Sequence, residues 1–231
     1  MTTLLIATQA IADNTAASAA NVPAPELSVW DMCVNGGVIM IPLLLLAVIS
    51  VYVFIERALV IRRAAHEDSS FMDRIKDYIH DGDIDAAMKL CRHTDTPYSR
   101  LIAKGISRMG RPMNDVLVTI ENTGNIEVAT LGKRLPWLAT TAAGAPMLGF
   151  LGTVIGMVQA FYNLASAGSS ANIDVLAGGI YQALVTTVAG LIVGIIALFA
   201  YNYLVAQING VMNSLENKTM EFMDLLNEPV Q

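Results

Sequence analysis

The chain has 231 residues, of which 54% are hydrophobic and only 15% charged, with a formal net charge of −6 at neutral pH. A soluble domain is about 45–50% apolar and about a quarter charged. The balance therefore points to lipid, and the acidic net charge excludes the basic face that a nucleic-acid partner needs.

Residues 1–31 are polar and rich in small residues, contain Pro23 and Pro25, and carry no Lys or Arg. Residues 4–12 followed by Ala17-Ser18-Ala19 have a signal-peptide look, but there is no basic start and Gln9 interrupts the apolar core. The segment is read as a retained extracytoplasmic arm, with cleavage as the alternative. Residues 32–61 form the first expected transmembrane helix. Its part from 38 to 55 is almost wholly apolar, close to the roughly 20 residues that cross a bilayer core. Asn35-Gly36-Gly37 breaks the chain before it, Pro42 falls in its first turns, and Glu56-Arg57 and Arg62-Arg63 close it.

Residues 62–134 are the one long charged region and read as a cytoplasmic helical domain. Phe71, Ile75, Tyr78 and Ile79 recur at helical spacing, as do Leu101, Ile102 and Ile106. Asp81-Gly82-Asp83 reads as a turn with a helix cap, Thr96-Pro97 as a helix start and Arg111-Pro112 as another. About 70 residues hold only a modest core by themselves. The helix beginning near Pro112 is expected to run unbroken into the second span. That span, 135–164, and the third, 175–205, are each long enough to cross. Between them, 165–174 is Ser-, Gly- and Asn-rich and reads as a periplasmic loop. Residues 206–231 form a cytoplasmic helical tail. The fold class is an all-α membrane protein with three transmembrane helices and long cytoplasmic extensions.

Thirteen of the 14 Lys and Arg lie between Arg57 and Arg134, and the last is Lys218. By the positive-inside rule the charged domain and the C-terminus are cytoplasmic and the N-terminus is periplasmic. Cys33 and Cys91 then lie on opposite sides of the membrane and cannot pair. His66, His80 and His93 lack metal-ligand spacing. No metal or cofactor is expected, and no nucleophile–base pair or phosphate loop marks an enzyme.

The spans differ in character. The first is greasy and reads as lipid-facing. The second carries Gly149, Gly152 and Gly156, and the third carries Gly190 and Gly194. Helices in lipid associate through such small residues, because no hydrophobic effect drives them together. Hairpin packing uses one face of each helix, so two stripes point further, to a homo-oligomer, with Gly190 and Gly194 expected at subunit contacts. Thr153, Gln182, Thr186 and Thr187 put polar atoms at membrane depth. A Thr hydroxyl often bonds back to its own helix, whereas an amide needs a partner helix or water. The apolar part of each span holds no Asp, Glu, Lys, Arg or His. Any proton relay through these spans needs a carboxylate from another subunit.

The run Ala145-Pro146-Met147-Leu148-Gly149-Phe150-Leu151-Gly152-Thr153-Val154-Ile155-Gly156-Met157 closely resembles the span-two signature of the MotA/TolQ/ExbB proton-channel family. Gly178-Gly179-Ile180-Tyr181-Gln182-Ala183-Leu184-Val185-Thr186-Thr187-Val188-Ala189-Gly190-Leu191 resembles its span-three signature. Gly36-Gly37, Pro42-Leu43-Leu44-Leu45-Leu46, Glu56-Arg57, Gly82-Asp83-Ile84-Asp85-Ala86-Ala87 and Leu90-Cys91-Arg92 look like the ExbB branch. The resemblance implies a pentamer in a bacterial inner membrane. A single-span partner of the ExbD/TolR type would pass through its pore and carry the Asp that is protonated. The assembly would use the proton motive force to drive a TonB-like protein, energising outer-membrane transport. Thr153 and Thr187 fall on the family's pore-facing threonines. Gln182 stands where ExbB and TolQ relatives commonly have Glu, and a Gln cannot titrate. The alternatives are a scaffold that conducts nothing, or a TolQ-like, flagellar or gliding-motor stator subunit.

Overall fold

The computed structural model describes residues 36–65, 70–167 and 173–227. The N-terminal arm, with its signal-peptide-like stretch, and the centre of the expected periplasmic loop lie outside the described residues. Seven helices follow one another among the described residues: α1 (Met40–Ala64), α2 (Ser70–His80), α3 (Ile84–Thr94), α4 (Pro97–Ile106), α5 (Met113–Gly132), α6 (Leu135–Ala167) and α7 (Ile173–Asn227). Of these, α1, α6 and α7 are long and apolar enough to cross a membrane.

Short polar motifs set the ends of the charged helices. Gly82 takes φ +73°, which a glycine adopts without strain, and turns the chain from α2 into α3. Asp83 then caps α3, its Oδ1 accepting from the Ala86 N–H at 3.0 Å. α4 opens on a capping box. The Thr96 hydroxyl accepts from the Ser99 N–H at 3.2 Å, and the Ser99 hydroxyl accepts from the Thr96 N–H at 2.9 Å. Asp95, at the left-handed end of α3, is held by Arg100, which also grips Glu127 of α5 through two bonds of 2.8 and 2.7 Å. Those carboxylates raise the Arg100 pKa above its ordinary value, Glu127 contributing most.

The chain does not run unbroken from Pro112 into the second span. α5 stops at Gly132, Lys133 and Arg134 form a turn, and α6 starts at Leu135. Pro136 explains the break, since it has no N–H to donate and its ring crowds the carbonyl four residues back, at Gly132. The Trp137 N–H bonds to the Arg134 carbonyl at 3.2 Å instead. α7, in contrast, is continuous for 55 residues, about 80 Å.

That length solves the small-core problem of the charged region. The end of α7 returns Leu215, Phe222 and Leu225 to a core shared with Phe71, Ile75, Cys91, Leu101, Ile102 and Ile120. Phe222 is fully buried. It sits so close beneath Gly105 that a Cβ there would fall 2.5 Å from its ring. The third span and the charged domain are thus one packed unit. α1 lies against this framework through Leu43, Ser50, Val53, Arg57 and Ile61, and its other face leaves Leu44, Leu45, Val48 and Tyr52 exposed.

Candidate functional site

The hairpin of α6 and α7 closes on small residues. Gly179 meets Ala160, Gly156 meets Ala183, Gly152 meets Thr186, Gly149 meets Gly190, and Gly194 meets the Pro146 ring. At Gly149–Gly190, Gly156–Ala183 and Gly179–Ala160 the rungs bring backbone close to backbone. A Cβ on Gly190 would lie 2.5 Å from the Ala145 carbonyl oxygen and 2.9 Å from the Gly149 Cα. One on Gly194 would lie 2.6 Å from the Pro146 ring. Pro146 also leaves the Ala142 carbonyl without its helical donor, and that oxygen points at Gly194. All five glycines expected in helix packing thus lie in the seam of a single chain. The subunit contact expected of Gly190 and Gly194 is occupied here by α6 of the same chain.

The four polar residues expected along a pore do not converge. Thr186 is buried in the seam, and its hydroxyl donates to the Ala183 carbonyl at 2.7 Å. Thr187 reaches across, donating to the Gly149 carbonyl at 3.0 Å and tying the two helices together. The Thr153 hydroxyl donates within its own helix to the Phe150 carbonyl at 2.6 Å. Its side chain borders an open groove with Val154, Met157, Val158, Phe161 and Tyr162. Gln182 leaves the seam altogether and sets its amide against Gly37, just before α1.

At the opposite end of α1 is a charge cluster that sequence reasoning did not assemble. Glu56 binds Arg57 at 3.1 Å and also pairs with Arg134, in the turn between α5 and α6. Arg57 extends one bond of 3.4 Å to the Thr130 carbonyl, and its Nε is buried without a hydrogen-bond partner among the described residues. The hydrogen bond and charge of Glu56 raise the Arg134 pKa above its ordinary value. The available signal was two charged stretches, Glu56-Arg57 and Lys133-Arg134, each flanking an apolar span. Nothing in sequence paired them. No group of three His, Cys, Asp or Glu residues able to hold a metal occurs among the described residues.

Three apolar helices, two of them packed through glycine, with ionic contacts beside the charged domain, define an α-helical membrane protein. Residues 93–217 match the model of the MotA/TolQ/ExbB proton channel family, so the chain belongs to that family. An ExbB-like biopolymer transport protein of Synechocystis sp. is 30% identical over 83% of this chain and 73% of its own. Biopolymer transport protein ExbB of Neisseria meningitidis is 29% identical over 70% of this chain and 78% of its own. Tol-Pal system protein TolQ of Haemophilus influenzae is 38% identical over 44% of each chain. The family consists of channel and transport-energising membrane proteins.

Proposed function

We propose that this chain is the wall subunit of a proton-driven motor in a bacterial inner membrane, with its N-terminus periplasmic and its C-terminus cytoplasmic. Five copies surround the single spans of an ExbD/TolR-type partner, and the assembly drives a TonB-like protein that energises outer-membrane transport. The observation that carries this reading is the chemistry of the α6–α7 hairpin. Its apolar stretch bears threonines and glycines but no Asp, Glu, Lys, Arg or His, while Met147, Phe150, Leu151, Val154 and Val158 on its outer face are exposed. Such a wall lets a titrating group pass but does not supply one. The proposed path follows the open flank of the hairpin that Thr153 borders; Thr186, Thr187 and Gln182, the other residues proposed for it, act from within the wall, and the partner brings the acid. Native mass measurement of the chain co-expressed with its partner tests the assembly. Five copies with a single-span protein bound is the predicted result, and a monomer that retains no partner contradicts it.

A second reading, a scaffold that conducts nothing, draws on Gln182, whose side chain cannot titrate. A TolQ-like role draws on the Haemophilus relative. The identity of the single-span protein that co-purifies with the chain, and of its periplasmic domain, separates the ExbB-like role from the TolQ-like one.

A further inference from the structure

The start of α1 is poorly provided for. Its N-cap position is Ile39, which makes no side-chain cap, and its first turn contains no acid. The first backbone bonds run from Met40 to Gly37 at 3.1 Å and from Ile41 to Val38 at 3.2 Å. The N–H groups of Val38 and Ile39 therefore have no acceptor among the described residues. Orphan donors at a helix start are satisfied by a side chain, by water or by a ligand, and they are costly where lipid excludes water.

Gln182 stands at this spot. Gly37 has φ +71°, and the Gln182 Nε2 lies so near it that a Cβ on residue 37 would collide with the amide. The amide makes no hydrogen bond among the described residues. It lies on the same flank of α7 as Ala200, about five turns on, which borders the groove against Phe54 of α1. Amide oxygen and nitrogen exchange places by a half-turn of the side chain, with no change of shape.

We infer that Gln182 is the helix cap of α1, supplied from α7. Its Oε1 accepts from the free N–H groups at the start of the first span and fixes that span's register on the hairpin. Gln182 is then a positioning residue, distinct in role from Thr187, which closes the seam with α6. Gly37 is required twice, for its left-handed backbone and for the room it leaves the amide. A carboxylate of the same length would cap as well, because the positive end of a helix favours an anion.

Hydrogen exchange on the full-length chain in lipid nanodiscs tests this without reference to proton flux. Gln182→Leu keeps the volume but removes the acceptor. It should speed exchange at residues 38–41 by about fivefold, roughly the loss of one cap, and leave residues 149–156 of the seam unchanged. Gln182→Glu should restore protection, and Gly37→Ala should mimic the Leu variant. Unchanged exchange at 38–41 in Gln182→Leu overturns the inference. So does a Glu variant as fast as Leu, or a loss of protection spread equally over the seam.

Discussion

Replacing Gly190 with alanine probes the α6–α7 seam with a single methyl group. The new Cβ would stand 2.5 Å from the Ala145 carbonyl oxygen and 2.9 Å from the Gly149 Cα, both backbone atoms that no rotamer can move. A comfortable C···O approach is about 3.3 Å, so the helices must part by about 0.8 Å at that rung. A gap of this size forfeits roughly a quarter to a half of the dispersion attraction across it. The Thr187–Gly149 bond, now 3.0 Å, would stretch beyond useful length, at about 0.6–1.5 kcal/mol. With an overpacking cost of about 1–3 kcal/mol, the total is about 2–4 kcal/mol. Gly144→Ala is the control, since nothing lies within 4 Å of the position its Cβ would take. Unfolding from mixed micelles with increasing denaturing detergent should separate the two variants by that amount. A Gly190→Ala protein as stable as Gly144→Ala would refute the reasoning.

Thr187→Val should cost about 0.6–1.5 kcal/mol in the same assay, because it removes only the hydroxyl that bonds to Gly149; no loss would mean that the bond is not formed in lipid. Phe222→Ala should cost about 3–5 kcal/mol and loosen the charged domain, because the ring fills the space under Gly105 and beside Ile120; unchanged proteolysis of residues 70–132 would contradict the shared core. In a Cys33→Ala background, Cys91 should react with maleimide at least ~100-fold more slowly folded than denatured at neutral pH. It is almost fully buried, and burial pushes its thiol up to about 11; labelling of the folded protein should rise as pH climbs toward that value, and rapid labelling at neutral pH would refute its placement. Arg100→Met should cost roughly 1 kcal/mol, the ion pair with Glu127 being partly open to water, and a larger loss would show that the surrounding core depends on it.

The parts of the fold legible in sequence were those written locally. Apolar length marked the spans, and Asp83 and the Thr96-Pro97 pair marked helix starts that the structure has at α3 and α4. The turn at Lys133–Arg134 is only two residues long and easily overlooked, but Pro136 did mark the break, since a proline inside a helix running on from Pro112 has no N–H to donate and crowds Gly132. The glycine stripes announced close contact but not with whom. A four-residue spacing of small residues fits a helix of the same chain as well as one from a neighbour, and here Gly190 and Gly194 meet their own α6. Phe222 and Leu225 sit among charges in the tail, so a core spanning more than 100 residues of sequence left no local trace. The Glu56–Arg134 pair, 78 residues apart, was equally silent. Of the polar residues in the spans, Thr187 was legible as a polar atom at depth. Its acceptor on Gly149 and the turn of Gln182 toward Gly37 are properties of packing alone.

The central claim is that the hairpin forms the wall of a proton path whose only titrating group comes from a partner span. Proton flux into liposomes containing the complex measures this directly. The account predicts flux that survives Gln182→Leu in part and is abolished when the membrane Asp of the partner becomes Asn. Flux that persists after that Asp is neutralised, or that the chain sustains without any partner, would contradict it.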